Sequence, residues 1–445
     1  MDSNLNRVHF IHDEDIDIMY LPDSLRFFKV NSITKGVVND ICNEIEKNEI
    51  LNKYSITEEL YNSIMALLKE KVEYNDTPEN ILIKLTLNIS NSCNLACKYC
   101  YANRGEYSHS HKNMDKDTLQ RAIDIFTSKY DVIENVMFFG GEPTLNLDIL
   151  EFGCEYIYRK YEKNEISNCP NLGMVTNGTN VSQRLIDIIN KYKLQITVSL
   201  DGCQEVNDKM RVYADGTGTF EDIVSNIKIL QEKCGQPTTI EATYNKMHIK
   251  NQKTVLDIVK YCKDVLHVPM VHVAPVSDIK GGAKEYVLED NKEFLDAIDD
   301  VFDYMELGKD YVFTSLHLVM DGLKNKRVRT HHCEAGLSRF AVAVDGGVYP
   351  CYIFTDEEDT RLGSVFDKNI FQSQKFNDYI GKLRAFNRFK VEKCKTCFYN
   401  TLCRQCIGEN YFENDDVQQV SQYRCSQAKE KLEVVIKNIV RHKKI

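Results

Sequence analysis

The placement of its thiols constrains this chain more than any other feature. Sixteen cysteines occur in 445 residues, and ten of them fall into two separated groups. Cys93, Cys97 and Cys100 share one short stretch, while Cys333, Cys351, Cys394, Cys397, Cys403, Cys406 and Cys425 lie in the last quarter. The opening residues Met1–Arg7 have no apolar core and no cleavage signature, which predicts no secretory signal and a cytoplasmic location. A disulfide framework does not persist in that reducing compartment, so metal ligation becomes the expected use of so many thiols. No apolar run approaches the roughly 18 residues of a membrane span. With 56 basic against 66 acidic residues the net charge is −10, the wrong sign for a nucleic-acid footprint.

At roughly 150 residues per domain the length predicts about three domains, and the thiols bracket them. Residues 1–75 carry 8 Lys/Arg against 14 Asp/Glu. Ile16–Tyr20 and Leu25–Val30 read as two strands around a Leu21-Pro22-Asp23-Ser24 turn. Ile33, Val37, Val38, Ile41 and Ile45 mark a helix with its cap at Ser32 or Thr34, and Ser55-x-x-Glu58 suggests a capping box before a second helix. This order looks like a winged helix. Its acidity argues against DNA, and a free sheet edge could take up an extended peptide as an added strand.

Residues 81–285 alternate strand and helix patterns. Strands are expected at Leu82–Ile89, Ile133–Phe139, Leu172–Asn177, Leu194–Leu200, Thr238–Tyr244 and Met270–Ala274. Helices are expected near 117–130, 147–162, 182–192, 220–233 and 252–265. Six such units predict an α/β fold with a parallel sheet, closed or nearly closed into a partial (β/α)6 TIM-like barrel; a doubly wound open sheet is the alternative. In both, ligands sit at the carboxyl ends of the strands. A helical bridge follows at 286–330, then a Cys-rich region at 331–425 and a basic helix at 426–445.

Cys93-x3-Cys97-x2-Cys100 directly follows the first of these strands. Three thiolates on one loop can hold three irons of a [4Fe–4S] cube and leave the fourth open, whereas structural zinc wants four closed ligands. With Tyr99 before the third Cys and this strand context, the pattern resembles the radical S-adenosylmethionine (SAM) superfamily. The resemblance implies that the open iron binds the amino and carboxylate groups of SAM. One-electron reduction would then split SAM to a 5′-deoxyadenosyl radical that abstracts a substrate hydrogen. Phe139-Gly140-Gly141-Glu142-Pro143 resembles that family's GGEP motif. It implies backbone approach to the SAM amino group at Gly140 and Gly141, with Glu142 as an acceptor, although Gly-Gly before Pro is also a tight turn. By the same resemblance Ser199 and Arg211 would hold the SAM carboxylate, and Tyr99 would meet the adenine through its backbone. Asp201 reads equally as a ligand or a loop cap.

Cys333-x12-Gly346-x4-Cys351, then Cys394-x2-Cys397-x5-Cys403-x2-Cys406 and Cys425, resembles the SPASM domain of peptide-modifying radical SAM enzymes. That family ends the central run with x3-Cys rather than x2-Cys. Its interleaved ligation implies one complete auxiliary cluster on Cys394, Cys397, Cys403 and Cys425. The second would rest on Cys333, Cys351 and Cys406 alone, because Arg339 stands where a further Cys is common, leaving an open or non-Cys coordinated iron. His331 and His332 read as surface-loop residues. Three [4Fe–4S] clusters are therefore expected, and zinc in a Cys-x2-Cys ribbon is the plainer alternative.

Anaerobic sulfatase maturases share this architecture and place an Asp after the Cys of the Gly-x4-Cys segment. Here that residue is Tyr352, which counts against formylglycine formation. The acidic first zone resembles the PqqD-like recognition element of peptide maturases. Together these features imply a radical SAM/SPASM peptide maturase of the sactipeptide or ranthipeptide type. It would join Cys sulfur to carbon in a Cys-rich precursor bound through its leader, with flavodoxin or ferredoxin as electron donor. Carbon–carbon cross-linking, formylglycine formation and a non-catalytic iron–sulfur adaptor are the competing readings. Cys42, Cys154, Cys169, Cys203, Cys234 and Cys262 remain as small core residues.

Overall fold

The computed structural model describes residues 5–107, 112–290, 292–304 and 314–442. The chain opens with β1 (His9–Asp13), β2 (Ile16–Leu21) and β3 (Arg26–Val30), an antiparallel meander. Helices α1 (Ser32–Cys42), α2 (Lys47–Tyr54) and α3 (Glu58–Lys69) follow. Met19 and Leu21 of β2 meet Val37, Val38, Ile41, Ile50, Ile64 and Leu68 in a small separate core. The expected hairpin is β2–β3; β1 and α2, whose polar residues hide any clear period, are additions to it. The helix starts also differ from expectation. Asn31 caps α1, accepting from the Thr34 N–H at 2.8 Å, and Thr57 caps α3, accepting from the Leu60 N–H at 3.2 Å. Ser55 instead ends α2 with φ of 51°.

The middle region follows the predicted alternation closely. A two-residue strand β4 (Ile81–Leu82) precedes β5 (Lys84–Ser90) and α4 (Lys116–Lys129); β6 (Val132–Ile133) pairs with β4. Then come β7 (Asn135–Gly140), α5 (Leu147–Glu162), β8 (Asn171–Thr176), α6 (Gln183–Tyr192) and β9 (Gln195–Ser199). The region ends with α7 (Gln204–Met210), α8 (Phe220–Cys234), β10 (Thr239–Tyr244), α9 (Lys246–Lys250), α10 (Val255–Lys260) and β11 (Met270–Pro275). On β5, Leu85, Leu87 and Ile89 are fully buried and alternate with Lys84, Thr86, Asn88 and Ser90. That period of two puts the apolar side chains on one face and a polar row on the other.

The sheet is not closed. Strands β11, β10, β9, β8, β7 and β5 run parallel in that order, but β12 (Arg339–Val342) takes the free edge of β5. It pairs in parallel, Arg339 beside Lys84 and Val342 beside Leu87, and β13 (Gly347–Tyr349) and β14 (Gly363–Ser364) extend the sheet antiparallel. The nine strands thus end at β11 and β14, correcting the closed-barrel expectation. The cause is a long-range pairing: the edge that closure would need is already hydrogen-bonded to the Cys-rich region.

Of the helical bridge, α11 (Lys292–Tyr304) and α12 (Thr314–Asn325) are described; its residues 291 and 305–313 lie outside the described residues, as do 443–445. Three shorter helices, α13 (Gln374–Ala385), α14 (Glu392–Lys395) and α15 (Ile407–Asn414), precede α16 (Gln422–Arg441). Ser421 caps α16, so this helix starts before residue 426 and carries Cys425 in its first turn. Its residues Leu432, Val435, Ile436 and Ile439 are buried, with α16 packed on α11 and α12. No helix among the described residues is long and apolar enough to cross a membrane.

The amino-terminal unit rests on the Cys-rich region and α16. The His9 ring stacks on Phe398 at 3.6 Å and reaches Glu433 at 2.7 Å, and Arg7 donates to the Cys397 carbonyl. Arg441 donates to both oxygens of the buried Asp13 carboxylate at 2.8 and 2.6 Å. Replacing Asp13 by Asn removes a charge-assisted pair and should cost about 1–3 kcal/mol. Urea unfolding of the variant checks this; an unchanged midpoint would show that the contact contributes nothing.

Candidate active site

Backbone hydrogen bonds on two sides hold the loop after β5 in place, with side-chain bonds at Asn94 and Tyr99 beside them. Ala96 N–H donates to Val212 O at 2.7 Å and Lys98 N–H to Met210 O at 2.9 Å, stitching Cys93–Cys100 along the segment that carries Arg211. On its other side Gly141 N–H donates to Ser90 O at 2.7 Å and Glu142 N–H to Ser92 O at 2.8 Å. This approach demands glycine. A Cβ on Gly140, whose φ is +137°, would lie 2.2 Å from Ser90 O, and one on Gly141 would lie 2.5 Å from Ser92 O.

The structure brings Cys93, Cys97 and Cys100 together, close enough for the charges of Cys93 and Cys100 to act on Cys97. All are free thiols, and burial pushes Cys93 up to about 11 and Cys97 to about 12. Cys93 and Cys97 therefore keep their protons until a metal displaces them. Asn177, at the end of β8, places its amide 3.9 Å from Cys93 Sγ and donates to Asn94 at 2.9 Å.

Glu142 is fully buried and its carboxylate is used within the fold. It accepts from Thr144 N–H at 3.0 Å, Thr176 Oγ1 at 2.7 Å and Asn177 N–H at 2.7 Å. Burial raises its pKa in spite of these donors. Pro143 begins the short 3-10 turn that Glu142 caps. Ser199 ends β9 beside Glu241 of β10.

Arg211 is buried, and its Nε donates to Asp201 Oδ1 at 3.1 Å, while its two terminal nitrogens have no partner among the described residues. Its guanidinium lies 5.4 Å from the centroid of the Tyr99 ring. Asp201, wholly buried, also accepts from the Tyr99 hydroxyl and from Thr243 N–H at 3.0 Å. His248 reaches the Asp201 carbonyl at 2.9 Å and accepts from Asn245 N–H at 3.1 Å, so its other nitrogen carries the proton. Asp201 thus orients Arg211 and Tyr99 rather than facing outward.

The seven remaining thiols of the sequence pattern divide into two sets. Cys403 feels the charges of Cys394, Cys425 and Cys397. Cys406 feels those of Cys333 and Cys351 instead. Burial is the first cause of the raised thiol pKa in both sets, with Cys351 at about 11 and Cys403 at about 12. Beside the three-thiol set stands Arg339, whose charge acts on both Cys333 and Cys351. His332 departs from the surface-loop expectation. It is 5% exposed, and neither ring nitrogen has a partner of good geometry among the described residues.

Residues 87–262 match the radical SAM superfamily, and residues 333–398 match the SPASM iron–sulfur cluster-binding domain. The chain has a radical SAM domain followed by an SPASM domain. It is 26% identical over 339 residues to a cysteine-type anaerobic sulfatase-maturating enzyme of Clostridium novyi, spanning 72% of this chain and 86% of that enzyme. Its fold resembles anSMEcpe solved with AdoMet and the Cp18Cys peptide, with a TM-score of 0.66 and 22% identity over 81% of this chain and 99% of that one. It also resembles Streptococcus suis SuiB bound to precursor peptide SuiA, with a TM-score of 0.57 and 16% identity over 93% and 99% of the two chains.

A radical SAM domain with an SPASM domain implies SAM and iron–sulfur clusters, and the thiol sets fit that chemistry. Among the described residues no three Cys, His, Asp or Glu side chains converge tightly enough for a single metal ion. The donor sets consist of thiols alone, in groups of three and four, which is the ligand chemistry of iron–sulfur clusters.

Aromatic rings gather beside these thiols. The Tyr352 ring, 38% exposed, is 5.1 Å from Phe139. Tyr101 and Tyr107 meet edge-on at 6.3 Å, their buried hydroxyls without a partner of good geometry among the described residues. Tyr101 feels both Cys100 and Tyr352, so these rings occupy the space between the SAM-domain thiols and the three-thiol set. The sequence singled out Tyr352 after Cys351, but it gave no sign that Tyr101 and Tyr107 would join it.

Two substitutions test the framework. Gly140→Ala imposes a strained φ and a backbone clash, so a loss of at least about 2 kcal/mol is expected, with lower iron content in the purified protein. Asp201→Ala leaves the Arg211 cation buried without its carboxylate and should cost about 3–5 kcal/mol by thermal or chemical unfolding. A wild-type melting curve for either variant would contradict the role assigned to that residue.

Proposed function

We propose that this chain is a radical SAM/SPASM maturase that installs Cys sulfur-to-carbon thioether links in a ribosomally made, Cys-rich precursor peptide. The observation that carries this reading is the three-thiol set of Cys333, Cys351 and Cys406, with Arg339 in place of a fourth thiol and Tyr352 beside it. Such a set leaves one iron to take an outside ligand. A substrate thiol is a fitting one, since metal binding deprotonates it.

In this reading Cys93, Cys97 and Cys100 hold the SAM-binding cluster. Cys394, Cys397, Cys403 and Cys425 hold a closed auxiliary cluster, and Cys333, Cys351 and Cys406 hold the open one. SAM on a reduced cluster supplies hydrogen-atom abstraction from an unactivated carbon. The protein's own part is positioning. The free terminal nitrogens of Arg211 would receive the SAM carboxylate, Asp201 holds Arg211 and Tyr99 in register, and Gly140–Gly141 let the backbone approach. Phe139, Tyr101, Tyr107 and Tyr352 would keep water from the substrate carbon. The acidic unit of residues 1–75 would take up the leader by strand addition at β3. The peptide bound in the SuiB and anSMEcpe structures supports a peptide substrate here.

Each link breaks one S–H and one C–H bond and forms one C–S bond: the carbon's hydrogen would leave in 5′-deoxyadenosine, the thiol's proton would pass to solvent, and the remaining electron would pass to an auxiliary cluster. Anaerobic reaction with a cognate Cys-rich peptide should therefore lower its mass by two hydrogens per link and block thiol alkylation there. A product that loses two hydrogens but still alkylates fully would point to carbon–carbon linkage. Formylglycine formation is the reading favoured by similarity to the Clostridium novyi enzyme. A hydrazide-reactive aldehyde would identify it and remove the thioether proposal.

Iron content tests the ligand sets separately. About twelve irons per chain are expected for three cubes, and Cys394→Ala should lower that to about eight. A wild-type value near four would remove both auxiliary clusters.

A further inference from the structure

We infer that Arg388 is the buried counter-charge of the four-thiol iron–sulfur site, an inference that rests on the ligand sets proposed above. Arg388 follows α13 and is 3% exposed. Every bond its guanidinium makes is to a neutral main-chain carbonyl. Nε donates to Thr330 O at 3.3 Å. Nη1 donates to Thr401 O at 2.7 Å and to Asn400 O, and Nη2 donates to His331 O at 3.1 Å and Cys403 O at 3.2 Å.

Among the described residues it has no carboxylate within ion-pair distance. Asp76 is spent on Thr330, accepting from its N–H at 2.7 Å and from its hydroxyl. Carbonyl dipoles satisfy the donors of a guanidinium but do not cancel its charge. A buried cation without an anion costs several kcal/mol. Of the groups whose charge would act on Arg388, Cys403 comes first, followed by Tyr74, Cys394 and Asp76. Cys403 and Cys394 belong to the four-thiol set, and the Cys403 carbonyl meets the guanidinium directly.

The compensation therefore depends on the state of the thiols. Without ligation, the partners of Arg388 among the described residues are the carbonyls of Thr330, His331, Asn400, Thr401 and Cys403, and none of them is an anion. Ligation makes the four sulfurs thiolates and supplies one. The same side chain joins the carbonyls of residues 400–403 to those of 330 and 331, just before Cys333. It is a positioning residue that ties the backbone entering one thiol set to the loop of the other.

The test is a cycle on the full chain, with clusters reconstituted or stripped by an anaerobic chelator under reducing conditions. Wild-type, Arg388→Met and Arg388→Lys are compared by thermal unfolding, and the cluster midpoint potentials by EPR-monitored titration. Stripping should lower the wild-type Tm by more than it lowers that of Arg388→Met. The loaded Met variant should show one auxiliary potential moved to more negative values, because a nearby cation favours the reduced, more negative cluster. Arg388→Lys keeps the charge but has at most three donors, so it should retain the wild-type potential despite a lower Tm. Equal Tm losses in loaded and stripped Met protein, with unmoved potentials, would reduce Arg388 to a backbone staple and overturn the inference. So would a Lys variant whose potential falls, which decides the matter even if the Met variant does not accumulate. If Cys394→Ala leaves the iron count unchanged, the ligand assignment itself fails and the inference falls with it.

Discussion

Strand β5 is hydrogen-bonded along both edges, to β7 on one side and to β12 on the other, and the rest of the molecule depends on that double pairing. Its carboxyl end leads directly into Cys93. The β12 partner leads through β13 to Cys351. One parallel and one antiparallel register tie both exits to one continuous sheet, so the SAM-domain thiols and the SPASM thiols share a rigid reference although more than 200 residues separate them in sequence. An arrangement linked only by loops could not hold two clusters and a substrate at a constant distance.

Around that sheet, buried polar groups do the work of orientation. Glu142 and Asp201 are both wholly buried, and each gathers donors from several separate elements. Removing water from such groups is costly unless each hydrogen bond is made, so each network specifies one geometry. The glycines at 140 and 141 act in the same way by sterics, since only residues without a Cβ let the backbone of β7 lie against Ser90–Ser92. The glycine contacts bring the backbone after β7 against the start of the Cys93–Cys100 loop and help fix its conformation.

Much of the middle region was legible because its signals are local. The period-two runs in β5, β7, β8, β9, β10 and β11, and the amphipathic helices α4, α5, α6 and α8 between them, are found within a residue or two of expectation, whereas α10 covers only Val255–Lys260 of the helix expected near 252–265. The short helix α7 was not, because its seven residues span too few turns to show a period. Ser55 and Thr57 both precede Glu58, and only the backbone shows that Thr57 is the cap. At the site, the thiols and the glycines were legible from spacing. The Asp201–Arg211–Tyr99 network, the rings of Tyr101, Tyr107 and Tyr352 and the burial of His332 were not, since each depends on contacts between distant segments.

By itself, then, the sequence determined the chemistry this protein carries: three thiols on a loop after a strand, seven more in a spaced pattern, and a parallel α/β framework to hold them. Spacing and periodicity are properties of neighbouring residues and survive without coordinates. Only the tertiary structure decided that the sheet stays open, that the Cys-rich region fills its edge, and that Asp201, Arg211 and Tyr99 form one buried network. Those outcomes rest on which strand edge is satisfied by which distant segment, and on where a buried charge such as Arg388 finds its compensation.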